Sequence, residues 1–400
     1  MRLPPLQVQH EMQRRLSLPE YYHCAIGTHP RSLLPAREIV FVLEGEGRLD
    51  VAALQRAVTV VAAQHPACRL RLVGHGLWAR WRSDGETPAV IDAGLSLWDG
   101  RQAAGAPDFS ARPLDLRRGI AAELVVHRLG MGGSRLTLRI LHAASDGRGC
   151  LHWLADIFRV LRGEAALGVN AVFADTELMR HRAGQAAPRP TSAPSPLVPR
   201  RPGGQADWCR LSLSGARTAL LPKVAAAIAA FSARHGQAQI RLALPVDLRR
   251  HHPDLLASHH LSSMLHLAVH ASDTPAQIRA RLAATLADAP ETAWQPWLGV
   301  CKALPLRSID GLLSARSDRQ KPPPLLETAV ISNLGRQDPA LFSCQGFQAR
   351  QLYGIPIAGN AFVFLFGLAD KVELICGLPA DMAWAMPAWM EHLRGALAQD

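Results

Sequence analysis

Apolar and polar residues alternate along this chain with two different periods, and the switches between them mark its elements. Ile39 to Leu43 is an apolar run of strand length, closed by a turn rich in glycine at Gly45 and Gly47. Val51, Leu54, Val58 and Val61 then fall on one helical face, with Asp50 placed to cap the N-terminus and His65-Pro66 stopping the pattern. Strand-like pieces follow between Cys68 and Val73. Leu136, Leu138 and Ile140 alternate with Thr137 and Arg139, the period of a half-buried strand. Beyond Gly149 the spacing of Leu151, Leu154, Ile157, Phe158 and Leu161 predicts a helix, with Gly163 suited to end it.

The pattern breaks between residues 181 and 207, where Pro188, Pro190, Pro194, Pro196, Pro199 and Pro202 precede Gly203-Gly204. Such a segment neither holds a helix nor pairs as a strand. The expected division is therefore an N-terminal lobe over 1–180, a linker over 181–207 and a C-terminal lobe over 208–400. In the second lobe we predict strands near Ile240 to Val246, Thr328 to Ile331 and Ala361 to Phe366, and a helix from about Pro275 to Leu286. Helices and strands mixed in this order indicate an α/β architecture. A length of 400 residues exceeds one ordinary hydrophobic core, which agrees with two lobes.

Composition narrows the class. With 48% hydrophobic and 19% charged residues the chain reads as folded and soluble rather than disordered. No apolar run approaches the roughly 18 residues of a membrane span, and the N-terminus lacks the apolar core and cleavage site of a secretory signal, so a cytoplasmic protein is expected. The seven cysteines form no C-x-x-C pair, which supports neither a disulfide framework nor a cysteine-based zinc site. A net charge of +11 favours acidic partners such as phosphorylated cofactors or an acidic carrier protein. The basic residues are not interleaved with aromatics, which argues against nucleic acid. His251, His252, His259, His260, His266 and His270 crowd one stretch without acidic or cysteine ligands at fixed helical spacing, so no metal is expected.

The candidate chemistry lies in His142-Ala143-Ala144-Ser145-Asp146-Gly147. A histidine at a strand end presents an imidazole nitrogen to a cleft while its main chain stays fixed, and its ordinary titration range suits proton abstraction at neutral pH. Asp146 can orient a neighbour or form a buried ion pair, and Gly147 lets the chain turn without a side chain blocking the site. From these residues alone His142 is equally a structural histidine and a catalytic base.

Further segments add to it. Leu49 to Val58 followed by His65-Pro66-Ala67-Cys68-Arg69, then Arg112-Pro113-Leu114-Asp115-Leu116, Pro245-Val246-Asp247-Leu248-Arg249 and Ile331-Ser332-Asn333-Leu334-Gly335 stand in one order along the chain. With the H-x-x-x-D-G run they resemble the CoA-dependent acyltransferase superfamily. That group includes chloramphenicol acetyltransferase, alcohol acetyltransferases, wax ester synthases and the condensation domains of nonribosomal peptide synthetases.

The resemblance implies two chloramphenicol-acetyltransferase-like lobes in a V-shaped pseudo-dimer, with a tunnel at their interface and His142 at its middle. It implies acyl transfer from acyl-CoA or a phosphopantetheinyl carrier protein to a small-molecule alcohol or amine, in natural-product or lipid biosynthesis, with no tightly bound cofactor. His142 is then the base, Asp146 the partner of Arg249 in an ion pair that braces the loop, and Gly147, Ser332 and Asn333 candidates for the oxyanion. Two features depart from subgroups: Leu141 stands where peptide-synthetase condensation domains usually carry another histidine, and the D-F-G-W-G element of plant acyltransferases is missing. A catalytically silent relative that docks within a biosynthetic assembly is the alternative, though a docking module has no need of an aligned base.

Overall fold

Each half of the chain contributes the bulk of one large sheet, as seen in a computed structural model that describes residues 11–28, 38–108, 112–181, 195–215, 219–294, 296–311, 327–356 and 360–398. The first sheet has five strands in the order Phe347–Ile355, Glu38–Gly47, Gly133–Leu141, Ala122–Arg128 and Ala89–Leu95. The second has six, in the order Ser262–His270, Gln239–Asp247, Ala329–Gln337, Ala361–Leu368, Lys371–Leu378 and Asp207–Ser214. Both are mixed: Ala89–Leu95 runs parallel to its neighbour in the first, and Ala329–Gln337 runs parallel to both neighbours in the second.

Strand composition follows position in the sheet. Glu38–Gly47 is buried along most of its length, as its unbroken apolar run Ile39 to Leu43 requires of a strand covered on both faces. The edge strand Ser262–His270 instead buries Leu265, Leu267 and Val269 while the residues between them face water. The strand Gly133–Leu141 corrects the half-buried expectation, because its polar positions are buried too: Thr137, Arg135 and Arg139 are each no more than 2% exposed. The arginines are tolerable there because they are paired. Arg139 binds Glu38 and Glu123, while Arg135 Nε donates to Glu44 Oε1 at 2.8 Å and its Nη2 to the Trp98 carbonyl at 2.9 Å.

Two helices cover the first sheet near the site. Val51–Ala62 starts where the Asp50 carboxylate accepts the Ala53 amide at 2.9 Å, and it buries Leu54, Val58 and Val61. Gly147–Leu161 lies against it and buries Leu151, Leu154, Ile157 and Phe158. Leu220–Ala233 and Met386–Leu397 pack on the second sheet, with the Phe231 and Trp389 rings 4.9 Å apart. Strand Phe347–Ile355, late in the sequence, pairs antiparallel with Glu38–Gly47, so the first sheet includes a strand from the second half of the chain. Among the described residues no helix is long and apolar enough to cross a membrane.

Candidate active site

Strand Gly133–Leu141 ends one residue before His142, and helix Gly147–Leu161 begins one residue after Asp146. The sheet fixes one end of this short connection and the helix cap fixes the other. Asp146 is the cap: its backbone is extended and its carboxylate accepts the Gly149 amide at 2.8 Å. His142 is half-buried, and its Nδ1 lies 3.1 Å from the Ser145 carbonyl oxygen. A carbonyl only accepts, so this bond needs the hydrogen on Nδ1, and in the neutral ring the lone pair is then on Nε2.

The second half of the chain bolts this loop in place. Asp146 is 3% exposed, and its Oδ2 accepts from Arg249 Nη1 at 2.9 Å and from the Leu261 amide at 2.6 Å. Arg249 also donates to Asp247 Oδ1 at 2.8 Å and, through Nε and Nη2, to the carbonyls of Ala257 and His259. Ser145 Oγ donates to the Ser258 carbonyl at 2.6 Å. Burial works against the charge on Asp146, but the Arg249 guanidinium prevails and holds the carboxyl down to about 2. Burial likewise opposes the charge on Arg249, which Asp146 and Asp247 raise above its usual value. Asp247 moves the other way, pushed up by burial and by the neighbouring Asp146.

Two glycines make the approach between the halves close enough for these bonds. A Cβ on Gly147 would lie 2.9 Å from Cδ2 of Leu334, on strand Ala329–Gln337, and one on Gly149 would lie 2.3 Å from the Ser258 carbonyl oxygen. A leucine tip yields more readily than backbone. Gly149→Ala is therefore expected to destabilise the protein by about 1–3 kcal/mol, and Gly147→Ala by less. The difference in urea midpoints at constant slope measures this.

Ser332 is buried on that same strand, in register with Phe364, whereas Asn333 is exposed beside a bulge. The Asn333 side-chain oxygen accepts the Gly335 amide at 3.0 Å, which leaves its amide nitrogen as a donor.

Two further histidines meet His142 that the motif does not contain. His23, on helix Leu18–Ala25, stacks on His142 with ring centroids 4.3 Å apart and planes 15° apart. His260 tilts against both, 5.3 Å from His142 and 5.0 Å from His23. His260 belongs to the histidine-rich stretch already conspicuous in the sequence; His23 stands alone, with no sequence signal.

Helix Leu18–Ala25 is itself anchored by buried charge. Ser17 and Glu20 form a capping box, and Arg14 grips Glu20 with bonds of 2.8 and 2.6 Å. Burial opposes ionisation of Glu20, but Arg14 holds its carboxyl down to about 2, whereas burial and Glu20 push nearby Asp175 up to about 6. A depressed carboxyl stabilises the fold above its unfolded value and loses that contribution as pH falls through the folded one. Unfolding free energy of wild type should thus fall between about pH 4.5 and 2 more steeply than that of Glu20→Gln, as urea titrations at stepped pH would register.

Comparison with known proteins gives the fold its relatives. No family model matches the chain, and no curated protein matches it. Among solved structures, it is similar to a double mutant of the starter condensation domain of rhizomide synthetase RzmA in complex with C8-CoA and Leu-SNAC. The TM-score is 0.67 and the identity 15%, over 97% of this chain and 93% of that one. The first condensation domain of the calcium-dependent antibiotic synthetase, in complex with a substrate analogue, gives 0.64 at 18% identity over 96% and 95%. Polyketide synthase associated protein 5 from Mycobacterium tuberculosis gives 0.63 at 16% identity over the full length of both. The chain thus carries the α/β fold of these condensation domains, built of two chloramphenicol-acetyltransferase-like lobes.

Proposed function

We propose that this protein is an acyltransferase that moves an acyl group from acyl-CoA or a phosphopantetheinyl carrier thioester to a hydroxyl or amine, with His142 as general base. The observation that carries this is the place of His142 at the end of strand Gly133–Leu141 with its Nδ1 3.1 Å from the Ser145 carbonyl oxygen: donation to that carbonyl puts the lone pair of the neutral ring on Nε2, which serves as the base. The complexes of relatives with C8-CoA, Leu-SNAC and a substrate analogue support the same substrate classes. In this reading the lobes divide at the 181–207 linker and the substrates meet in a tunnel between them.

The steps follow from the groups. Nε2 takes the acceptor's proton as the acceptor oxygen or nitrogen bonds to the thioester carbonyl carbon. The resulting oxyanion is met by hydrogen-bond donors, for which the Gly147 amide at the helix N-terminus, the Ser332 hydroxyl and the Asn333 side-chain amide are candidates. The C–S bond then breaks, and the departing thiolate takes the proton back from Nε2. Asp146 does not touch the reacting atoms. It and Arg249 brace the loop that aims His142, and no tightly bound cofactor is needed. The net charge of +11 suits both donors, since CoA phosphates and an acidic carrier are each negative.

The deciding experiment offers the protein acyl-CoA and acyl-carrier thioesters of several chain lengths together with mixed alcohols and amines. Thiol release that depends on the nucleophile, with the acylated product identified by mass spectrometry, is expected. Absence of transfer from both donor classes to every nucleophile would overturn the assignment.

A further inference from the structure

We infer that His23, His142 and His260 form a binding site for a zinc-class divalent cation, in which the ion and the substrate's proton compete for the same His142 lone pair. The three imidazoles come from three separate segments, and one ligand atom from each lies within 4.8 Å of the other two. Three neutral imidazoles with an open fourth position suit zinc and its borderline neighbours cobalt and nickel rather than calcium or magnesium, which take oxygen.

Two of the rings already have the outer hydrogen bonds that such ligands use. His142 donates its Nδ1 hydrogen to the Ser145 carbonyl, and His260 Nε2 lies 3.3 Å from Ser262 Oγ. A carbonyl only accepts, so the Ser145 partner leaves the lone pair of a neutral His142 on Nε2, whereas the Ser262 hydroxyl can donate to His260 or accept from it. His260 Nδ1 is buried, on a residue 2% exposed, with no hydrogen-bond partner among the described residues. An unsatisfied buried nitrogen is costly, and a metal ion would satisfy it.

His23 sets the geometry of closure. Its ring lies nearly parallel to that of His142, and lone pairs lie in the ring planes, so His23 must turn to meet an ion held by His142 and His260. It is half-buried on a helix face, whereas His260 is enclosed.

A second group, His65, His152 and Asp156, has similar proximity but different chemistry. His65 Nε2 is bonded to Asp156 at 2.8 Å, His152 Nε2 donates to the Gly168 carbonyl, and Asp156 accepts the Leu167 and Gly168 amides. His65 Nδ1 is a buried nitrogen without a hydrogen-bond partner among the described residues, but His65 Nε2, His152 Nε2 and both Asp156 oxygens are engaged, so this group serves as an internal control.

Cobalt(II) is the probe, because tetrahedral nitrogen coordination gives visible absorption that zinc displaces. The full-length protein is expected to develop that absorption at one equivalent. His260→Ala and His23→Ala should weaken cobalt binding by about 10- to 100-fold or more, and His152→Ala should leave it unchanged. His260→Gln replaces the alanine variant if circular dichroism shows that the latter does not fold. No visible band, a band that survives in the His260 and His23 variants, or one lost with His152→Ala would overturn the site. Loss of acyl transfer on adding zinc, restored by a chelator, is the expected consequence and rests on the function proposed above. The cobalt titration does not, so an inactive protein that binds cobalt would remove the acyl-transfer reading and leave the site intact.

Discussion

His142→Ala is expected to lose acyl transfer by about 100- to 10,000-fold while unfolding at nearly the same temperature as wild type. The activity loss is that of a general base: without Nε2 the acceptor must attack still carrying its proton. The remaining rate comes from holding the thioester and acceptor together and from oxyanion donors, neither of which passes through the imidazole. Stability should change little because His142 is only half-buried and its hydrogen bond is made to its own loop, at Ser145. Contact with His23 is lost, but the helix carrying His23 is held independently by Ser17, Glu20 and Arg14. A thioester assay and a thermal melt on the same preparation check both halves of the expectation. Transfer at the wild-type rate by a folded His142→Ala protein would remove His142 from the mechanism.

Arg249→Met should behave in the opposite way, with a stability loss of about 3–5 kcal/mol that brings activity down with it. The methionine keeps much of the volume but strands the buried Asp146 carboxylate and releases the carbonyls of Ala257 and His259. Asp146 would still have the amides of Gly149 and Leu261, which is why the protein should remain foldable. Adding Asp146→Asn removes the stranded charge, and the double variant should recover part of the loss. That recovery, read from a double-mutant cycle of urea unfolding, isolates the pair from the rest of the network. Equal stability of Arg249→Met and wild type would show that the pair does not brace the loop. The two variants together separate chemistry from scaffolding: one loses rate at constant stability, and the other loses stability first.

Much of the fold was readable one segment at a time. The apolar run at Ile39 to Leu43, the alternation at Leu136 to Ile140 and the helical spacing at Val51 to Val61 and Leu151 to Leu161 all coincide with elements in the structure. Asp50 caps its helix through the Ala53 amide because a capping side chain acts over three residues and needs no tertiary partner. Strands Asp207–Ser214, Phe347–Ile355 and Lys371–Leu378 did not stand out. Their polar residues are satisfied by distant neighbours, as when Ser212 Oγ donates to Glu373 at 2.6 Å or Tyr353 donates to Glu44 at 2.7 Å. A local pattern cannot register such partners. The same blindness made Arg139 look solvent-facing, when carboxylates on both neighbouring strands keep it buried.

What the sequence by itself determined was the local order of elements, the mixed α/β character and the run from His142 to Gly147 at the end of a strand, because period and capping are properties of neighbouring residues. Tertiary structure alone decided which groups surround that run. Arg249 and Leu261 reach Asp146 across more than 100 residues of chain, Ser258 meets Ser145 over a glycine with no room for a Cβ, and His23 and His260 close on His142 from two other segments. Contacts at that separation depend on how the two sheets and their connections pack. No spacing within the chain encodes the distance between residues that only packing brings together.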